Sequence, residues 1–360
     1  MPKVQRLLEE LSNAHGPSGF EEPVRAIMRR EFAPLADDLD TDGVGSLIAR
    51  FKGTSDAPRV MMAAHMDEVG HMVKYITPDG FIKFQALGGV HDQSIINQRW
   101  VILTQKGIVR GVTGLKTVHV IPFEERNQPF KRQDMFIDVG AASKKDAEER
   151  LGIFPGDPIS PDSTFVTLND GGLYLGKAWD DRVGLAIMIG VARLLRDTGH
   201  PNTVFAVSTV QEEVGLRGAQ TSSFQVGPDI GINLESGVAS DYPGTSQNDA
   251  QERLGDGPAI FLHDSSMLPN RKFRDLVMSV AKENRIPVQF NVLAGYGQDG
   301  SAMQRNRGGV PAINISVPTR YLHSHNGVIS RADFDRAVTL VAAVVRKLDA
   351  ATVKDLKSFA

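Results

Sequence analysis

The chain has 360 residues, 41% of them apolar and 23% charged, with 40 basic and 43 acidic side chains well mixed and a net charge of −3. This fits a globular protein of two or three domains, or one large domain carrying an insertion. No basic stripe interleaved with aromatics occurs, which argues against a nucleic-acid partner. The lack of cysteine excludes disulfides and thiolate metal sites, leaving His, Asp and Glu to hold any ion.

The first segment, "MPKVQRLLEELSNAHG", is charged and amphipathic and has no signal-peptide-like apolar run. Val4, Leu7, Leu8 and Leu11 predict a helix that Gly16-Pro17 ends. Ser18 and Glu21 have capping-box spacing and open a second helix through Phe32, with Pro23 near its start, where proline does least harm. "DGVGSLIARF" reads as a turn and a strand, and "RVMMAAH" as a buried strand. Between about 71 and 170 the texture changes to short strands, frequent glycine and little helix, as in "GFIKFQALGG", "RWVILTQKGIVRGVTG" and "DMFIDVGA". Such spacing predicts a small β-barrel-like domain.

"LGKAWDDRVGLAIMIGVARLL" then starts a long buried helix. Its apolar stretch, 183 to 195, is broken by Arg193 and is shorter than the roughly 20 residues a bilayer span needs. No membrane partner is expected, and the expected location is cytoplasmic. Strands "TVFAVSTV", "IGINLE", "AIFLH", "VQFNVL" and "AINISV" follow, with helices at about 271 to 284 and from about 331 onward; the tail "VKDLKSFA" reads as a frayed helix end. The alternation implies an α/β layer with a largely parallel sheet, interrupted by the β insertion.

Ionisable residues recur where the α/β strands end. His65, Asp67 and Glu68 close one strand, and Asp180 and Asp181 precede the long helix. Glu212 and Glu213 follow "TVFAVSTVQ", Glu235 follows "IGINL", and His323 and His325 follow "INISVPTRYL". Alone, each has an ordinary reading: Asp-Asp as a helix cap, Glu-Glu as solvated surface, Glu235 as a loop acid, a histidine as hydrogen-bonded structure. Jointly they mark the edge where open α/β sheets bind ligands. Carboxylates with imidazoles suit Zn, Mn or Co, and one carboxylate can bridge two ions. A carboxylate that is not a ligand can then serve as general base. His65 and Asp67 fall on one side of an extended strand, so Asp67 can fix the imidazole tautomer. Glu212 and Glu213 point apart on an extended backbone.

"GPSGFEEPVR", "AAHMDEVGHMV", "LGGVHDQ", "GDPIS", "GKAWDDRVG", "QEEVGLRGAQT" and "TRYLHSH" together resemble the M42 metallo-aminopeptidases, relatives of the M20 and M28 di-metal peptidases. The resemblance spans nearly the whole chain. It implies a mixed α/β sheet with helices on both faces, formed by 1–70 plus 171–360, and an inserted β-barrel, PDZ-like dimerisation domain at 71–170. It implies His65 and Glu235 at a first metal, Asp180 bridging, Glu213 and His323 at a second, Glu212 as general base and acid, and Asp67 orienting His65. The cofactors would be two divalent ions, Zn or Co, and the reaction removal of N-terminal residues from peptides by a metal-bridging hydroxide. The resemblance also implies a homo-oligomer, a dodecamer built from dimers. Gln298, in "GYGQDGSAM", stands where the family often has a small hydroxyl residue, with Asp299 kept; His325 follows the expected ligand by two. Trp179 is bulkier than the family's Leu or Phe and reads as packing under the site. Two other readings compete. A glycoside hydrolase, the activity some relatives are labelled with, also uses paired carboxylates, but 7% aromatics and two tryptophans leave few platforms for sugars. A non-catalytic assembly protein would not need the full donor set.

Overall fold

The computed structural model describes residues 3–359. Helices α1 (Lys3–Asn13) and α2 (Glu22–Phe32) precede strands β1 (Asp38–Thr41), β2 (Leu47–Phe51) and β3 (Arg59–His65). Six strands then close an antiparallel barrel in the order β4-β5-β8-β7-β6-β9. They are β4 (Gly70–Ile76), β5 (Ile82–Leu87), β6 (Arg99–Thr104), β7 (Gly107–Gly114), β8 (Phe136–Asp138) and β9 (Pro158–Pro161), with α3 (Lys144–Glu149) before the last. The chain rejoins the first layer through β10 (Val166–Leu168), β11 (Leu173–Gly176), α4 (Trp179–Thr198), β12 (Thr203–Thr209), α5 (Arg217–Val226) and β13 (Ile230–Val238). It ends with β14 (Ala259–Asp264), α6 (Arg271–Glu283), β15 (Gln289–Leu293), α7 (Asp299–Gln304), β16 (Ala312–Arg320), β17 (Gly327–Ser330), α8 (Arg331–Lys347) and α9 (Ala350–Leu356). The last helix is capped by Asp349, which accepts from the Thr352 N–H, so the expected frayed end is a separate short helix. No described helix is long and apolar enough to cross a membrane.

The large sheet runs β1-β2-β12-β3-β13-β16-β17-β11-β10, with β14 also on β16 and β15 on β14. Only β12, β3, β13 and β16 form a parallel centre; the flanks pair antiparallel, apart from β14 with β15. The expected largely parallel sheet is therefore mixed. The short links β10–β11 and β16–β17 join strands directly, and short links can join only antiparallel neighbours.

The apolar run of β3 follows from burial on both faces. Val60, Met62 and Ala64 enter the main core beneath α4, while Met61 and Ala63 pack with Ile48, Val207, Val226 and Met303 on the opposite face. Helix α4 lies against β3 and β13, with α8 stacked behind it. Gly190 permits that approach, since a Cβ there would meet Val338 at 2.9 Å. The barrel has its own core around Trp100, Ile102, Ile137 and Ile159.

The capping-box expectation at α2 fails. Glu21 occupies the cap position without a side-chain cap bond, and the Ser18 hydroxyl instead donates to Asp67 Oδ2 at 2.7 Å. A hydroxyl donates its hydrogen most strongly to an ionised acceptor, which the buried Asp67 carboxylate supplies. Pro23 does sit in the first turn.

One buried acid is independent of the strand-end group. Glu252 is fully buried, and its Oε1 accepts from Asn291 Nδ2 (2.7 Å) and Ser316 Oγ (2.9 Å). Burial pushes its pKa from 4.5 up to about 7. Between those values the folded chain keeps a proton that the unfolded chain has released, so stability falls as pH rises through that window. At roughly 1.4 kcal/mol per unit the full effect is about 3 kcal/mol. Glu252→Gln is expected to remove this slope: the melting temperatures of variant and parent converge near pH 4.5 and diverge, variant higher, toward pH 7. Parallel curves would overturn the assignment.

Candidate metal centre

The parallel strands end on one edge, and the donors collect there. His65 is the last residue of β3 and pairs with Thr209, the last of β12. Glu212 and Glu213 lie just beyond β12, Glu235 lies within β13, Asp180 in the first turn of α4, and His323 in the link from β16 to β17. His65 Nε2 lies 2.8 Å from Asp180 Oδ1 and 3.7 Å from Glu235 Oε1. His323 Nε2 lies 3.1 Å from Asp180 Oδ2 and 3.4 Å from Glu213 Oε1. Two three-donor sets result, His65/Asp180/Glu235 and Asp180/Glu213/His323, each with its donor atoms within 4.8 Å of one another. Asp180 belongs to both and turns one oxygen to each histidine. All five sequence-predicted donors are thus brought together.

The electrostatics fit a cationic occupant. Burial, reinforced by the neighbouring Asp299, Glu213 and Asp180, pushes the Glu212 carboxyl well above its ordinary range. Burial together with Asp181 and Asp180 does the same to Glu235, and burial raises Glu213 to about 7. Burial opposes the two imidazolium ions, but Glu235, Asp180 and Asp67 outweigh it at His65, and Glu213 and Asp180 raise His323 to about 10. Asp180 is held well down by those histidines despite its burial. A set of carboxylates that cannot all ionise together, with Glu213 Oε1 buried and lacking a hydrogen-bond partner, is matched to divalent ions, and nitrogen–oxygen donors suit Zn, Mn or Co.

Asp67 has a second task beside its contact with His65. His65 Nδ1 donates to the Asp67 backbone carbonyl at 3.0 Å, with the carboxylate farther off at 3.5 Å. The carboxylate also accepts the backbone N–H groups of Glu212 (3.0 Å) and Glu213 (3.1 Å), along with the Ser18 hydroxyl. Both the backbone carbonyl and the carboxylate of Asp67 face His65 Nδ1, and the carboxylate also holds the backbone of the two glutamates. That segment lies beyond the end of β12, with Gln211 at φ 55° and a turn beginning at Glu213. Glu21, fully buried, accepts from the Gln211 N–H at 3.1 Å.

Asp181 takes the ordinary role open to one of the pair. Its carboxylate accepts from the Gly184 N–H (3.1 Å) and from the His65 N–H (3.1 Å). Glu68 is not a donor: it forms a buried ion pair with Lys177 at 2.7 Å, accepts from Gly16 N–H and the Ser160 hydroxyl, and lies 3.8 Å from Arg182. Trp179 packs as expected, against Phe165 and with its indole N–H on the Gly327 carbonyl. Gln298 is buried ahead of α7, and the adjacent Asp299 accepts from the Thr209 hydroxyl. His325 is outside both donor sets. Its ring meets Trp100 edge-on at 4.5 Å and its Nε2–H donates to the Arg99 carbonyl at 2.9 Å. Sequence reasoning missed Ser18, Glu21 and Lys177 as supports. The one visible signal was the cation in the otherwise small and apolar "LGKAW".

The family model for the M42 glutamyl aminopeptidases matches residues 45–340. The putative aminopeptidase FrvX of Escherichia coli is 38% identical over 98% of each chain. The TET aminopeptidase of a marine-sediment thaumarchaeote superposes with a TM-score of 0.96 at 41% identity, covering 99% of both chains. The TET1 peptidase of Pyrococcus horikoshii, which can assemble into a tetrahedron or a large octahedral shell, has a TM-score of 0.86 at 31% identity over 96% of this chain and 100% of its own. With this coverage and identity, the chain belongs to the M42 glutamyl aminopeptidase family.

Proposed function

We propose that this chain is a di-metal aminopeptidase that removes N-terminal residues from peptides. The observation that carries the reading is the pair of donor sets sharing Asp180, with Glu212 held beside them through its backbone and belonging to neither set. His65, Asp180 and Glu235 would hold one ion, and Asp180, Glu213 and His323 the other, Zn or Co by donor chemistry. Bound there, two divalent ions supply Lewis acidity toward a carbonyl and lower the pKa of water.

The chain's own groups account for the rest. Glu212 takes a proton from the attacking water and returns it to the leaving amine. Burial, Asp299 and Glu213 raise its carboxyl and two bound cations would oppose them, so that it can take the proton and then hold it between the two transfers. Asp67 and Glu21 fix the 211–213 segment so that the carboxyl stays in place during both. The excess of carboxylates over cations favours a free N-terminal ammonium. Like the TET1 peptidase, the chain is expected to form a large homo-oligomer, a dodecamer built from dimers through the barrel, which light scattering of the purified protein checks directly.

A panel of aminoacyl-p-nitroanilides tests the activity, using chelated protein, protein restored with Zn or Co, and N-acetylated controls. Free-amine substrates should be cleaved only after restoration, and acetylated ones should not. Cleavage that survives chelation, or that extends to glucan substrates without metal, would sink the reading in favour of glycoside hydrolysis by the carboxylates alone.

A further inference from the structure

The two donor sets are built on different foundations. His65 and Glu235, the donors belonging only to the first set, lie on β3 and β13 within the large sheet. His323, belonging only to the second, lies on the six-residue link between β16 and β17. There Tyr321 (φ 60°) and His323 (φ 55°) both adopt a positive φ, uncommon outside glycine; histidine tolerates it better than most, and a bulky residue such as Tyr321 holds it only where its surroundings impose it.

The imposing surroundings are supplied by the barrel. His323 Nδ1 donates to the Gly89 carbonyl at 2.6 Å. Two residues on, His325 Nε2 donates to the Arg99 carbonyl and its ring rests on Trp100. Trp100 packs on His71 at 4.6 Å and His71 stacks on Phe84 at 4.5 Å, so the contact reaches into the barrel core. The same barrel loop touches the other donor of this set. Gly88, at φ 84°, leaves so little room that a Cβ would meet the Glu213 carboxylate at 3.0 Å and Val69 at 2.8 Å. Arg132 ties that loop down through Asp92 Oδ1 (2.7 Å) and the Val90 carbonyl.

We propose that the inserted barrel is a structural part of the second metal site, and that His325 is the positioning residue through which it sets the His323 backbone. The inference rests on the two-ion reading above. Removing the His325 clamp leaves the first set on the sheet intact and frees the link to relax away from its left-handed conformation. Groups that orient ligands are worth about 10–100-fold in metal affinity, so about tenfold is expected here, confined to the second ion.

The test is zinc retention by the full-length protein across a graded series of competing chelator, read as bound zinc per chain. His325→Leu keeps an apolar group against Trp100 and loses the donor. His325→Gln places an amide N–H near the position of Nε2, and His325→Asn is too short to reach. The parent should retain two ions and release them in two steps. His325→Leu and His325→Asn should release one ion at about tenfold lower chelator with the other unchanged, and His325→Gln should restore the parent profile. If His325→Leu does not fold, the Asn and Gln pair carries the same comparison. A parent that binds fewer than two ions defeats the two-ion reading itself. Variants that hold both ions like the parent, or that lose both in parallel with an unchanged near-ultraviolet dichroism spectrum, overturn the positioning role.

Discussion

Glu212→Gln is expected to lower kcat/KM by about 10²–10⁴-fold, the range for a positioned general base, while metal content and thermal stability stay at the parental level. The separation follows from the site. Glu212 belongs to neither donor set, so the ions do not depend on its charge. Its hold on Asp67 is made by the backbone N–H at 3.0 Å, which the substitution leaves in place. The amide has nearly the carboxylate's shape but cannot take a proton at neutral pH. The measurement is steady-state hydrolysis of the best p-nitroanilide, with metal per chain determined on the same preparation. Activity within tenfold of the parent, with both ions bound, would falsify the assignment of Glu212 as the proton carrier. Asp299 contributes to raising Glu212 and is held at 2.5 Å by the Thr209 hydroxyl.

Asp180→Asn is expected to act on the other half of the machinery and to remove metal as well as activity. Asp180 is the one donor common to both sets, with Oδ1 toward His65 and Oδ2 toward His323. An amide offers one acceptor oxygen, carries no charge, and presents an N–H₂ group where the second oxygen stood. Bound metal should fall from two ions per chain to one or none, and turnover by at least about 10³-fold, since the Lewis acid is lost with it. Stability gives an independent readout. An ion that binds only the folded chain raises its melting temperature by mass action, so chelation should lower the melting temperature of the parent and leave Asp180→Asn nearly unmoved. Two ions retained by the variant would show that the bridge lies elsewhere.

These variants follow from residues that were visible in the sequence as charges at strand ends. The rule that ligands gather at the carboxyl edge of a parallel sheet grouped these charges with their neighbours before any coordinates, and the family resemblance picked out His65, Asp180, Glu213, Glu235 and His323 among them. The barrel was legible for a similar reason: short strands broken by glycine and turn signals suggest a small barrel or sandwich. The supports were less legible. Ser18 and Glu21 have the spacing of a capping box, yet both side chains serve the centre. Spacing records which bonds a segment can make with itself, and says nothing of partners that other segments fold against it.

By itself, the sequence determined the layer architecture, the insertion and the chemical identity of the donor groups, because periodicity and residue type act locally. Only the tertiary structure decided what each group does. It set Glu68 against Lys177, 109 positions away along the chain, as a buried pair. It added the backbone of Glu212 and Glu213 to the partners of Asp67, beside the imidazole of His65, and it sent His325 to the barrel instead of the centre. Each of these is a choice among partners distant in sequence. A buried charge or hydrogen-bonding group settles on the partner that best offsets its desolvation, and which partner is within reach is fixed only when the sheet and the barrel close on one another.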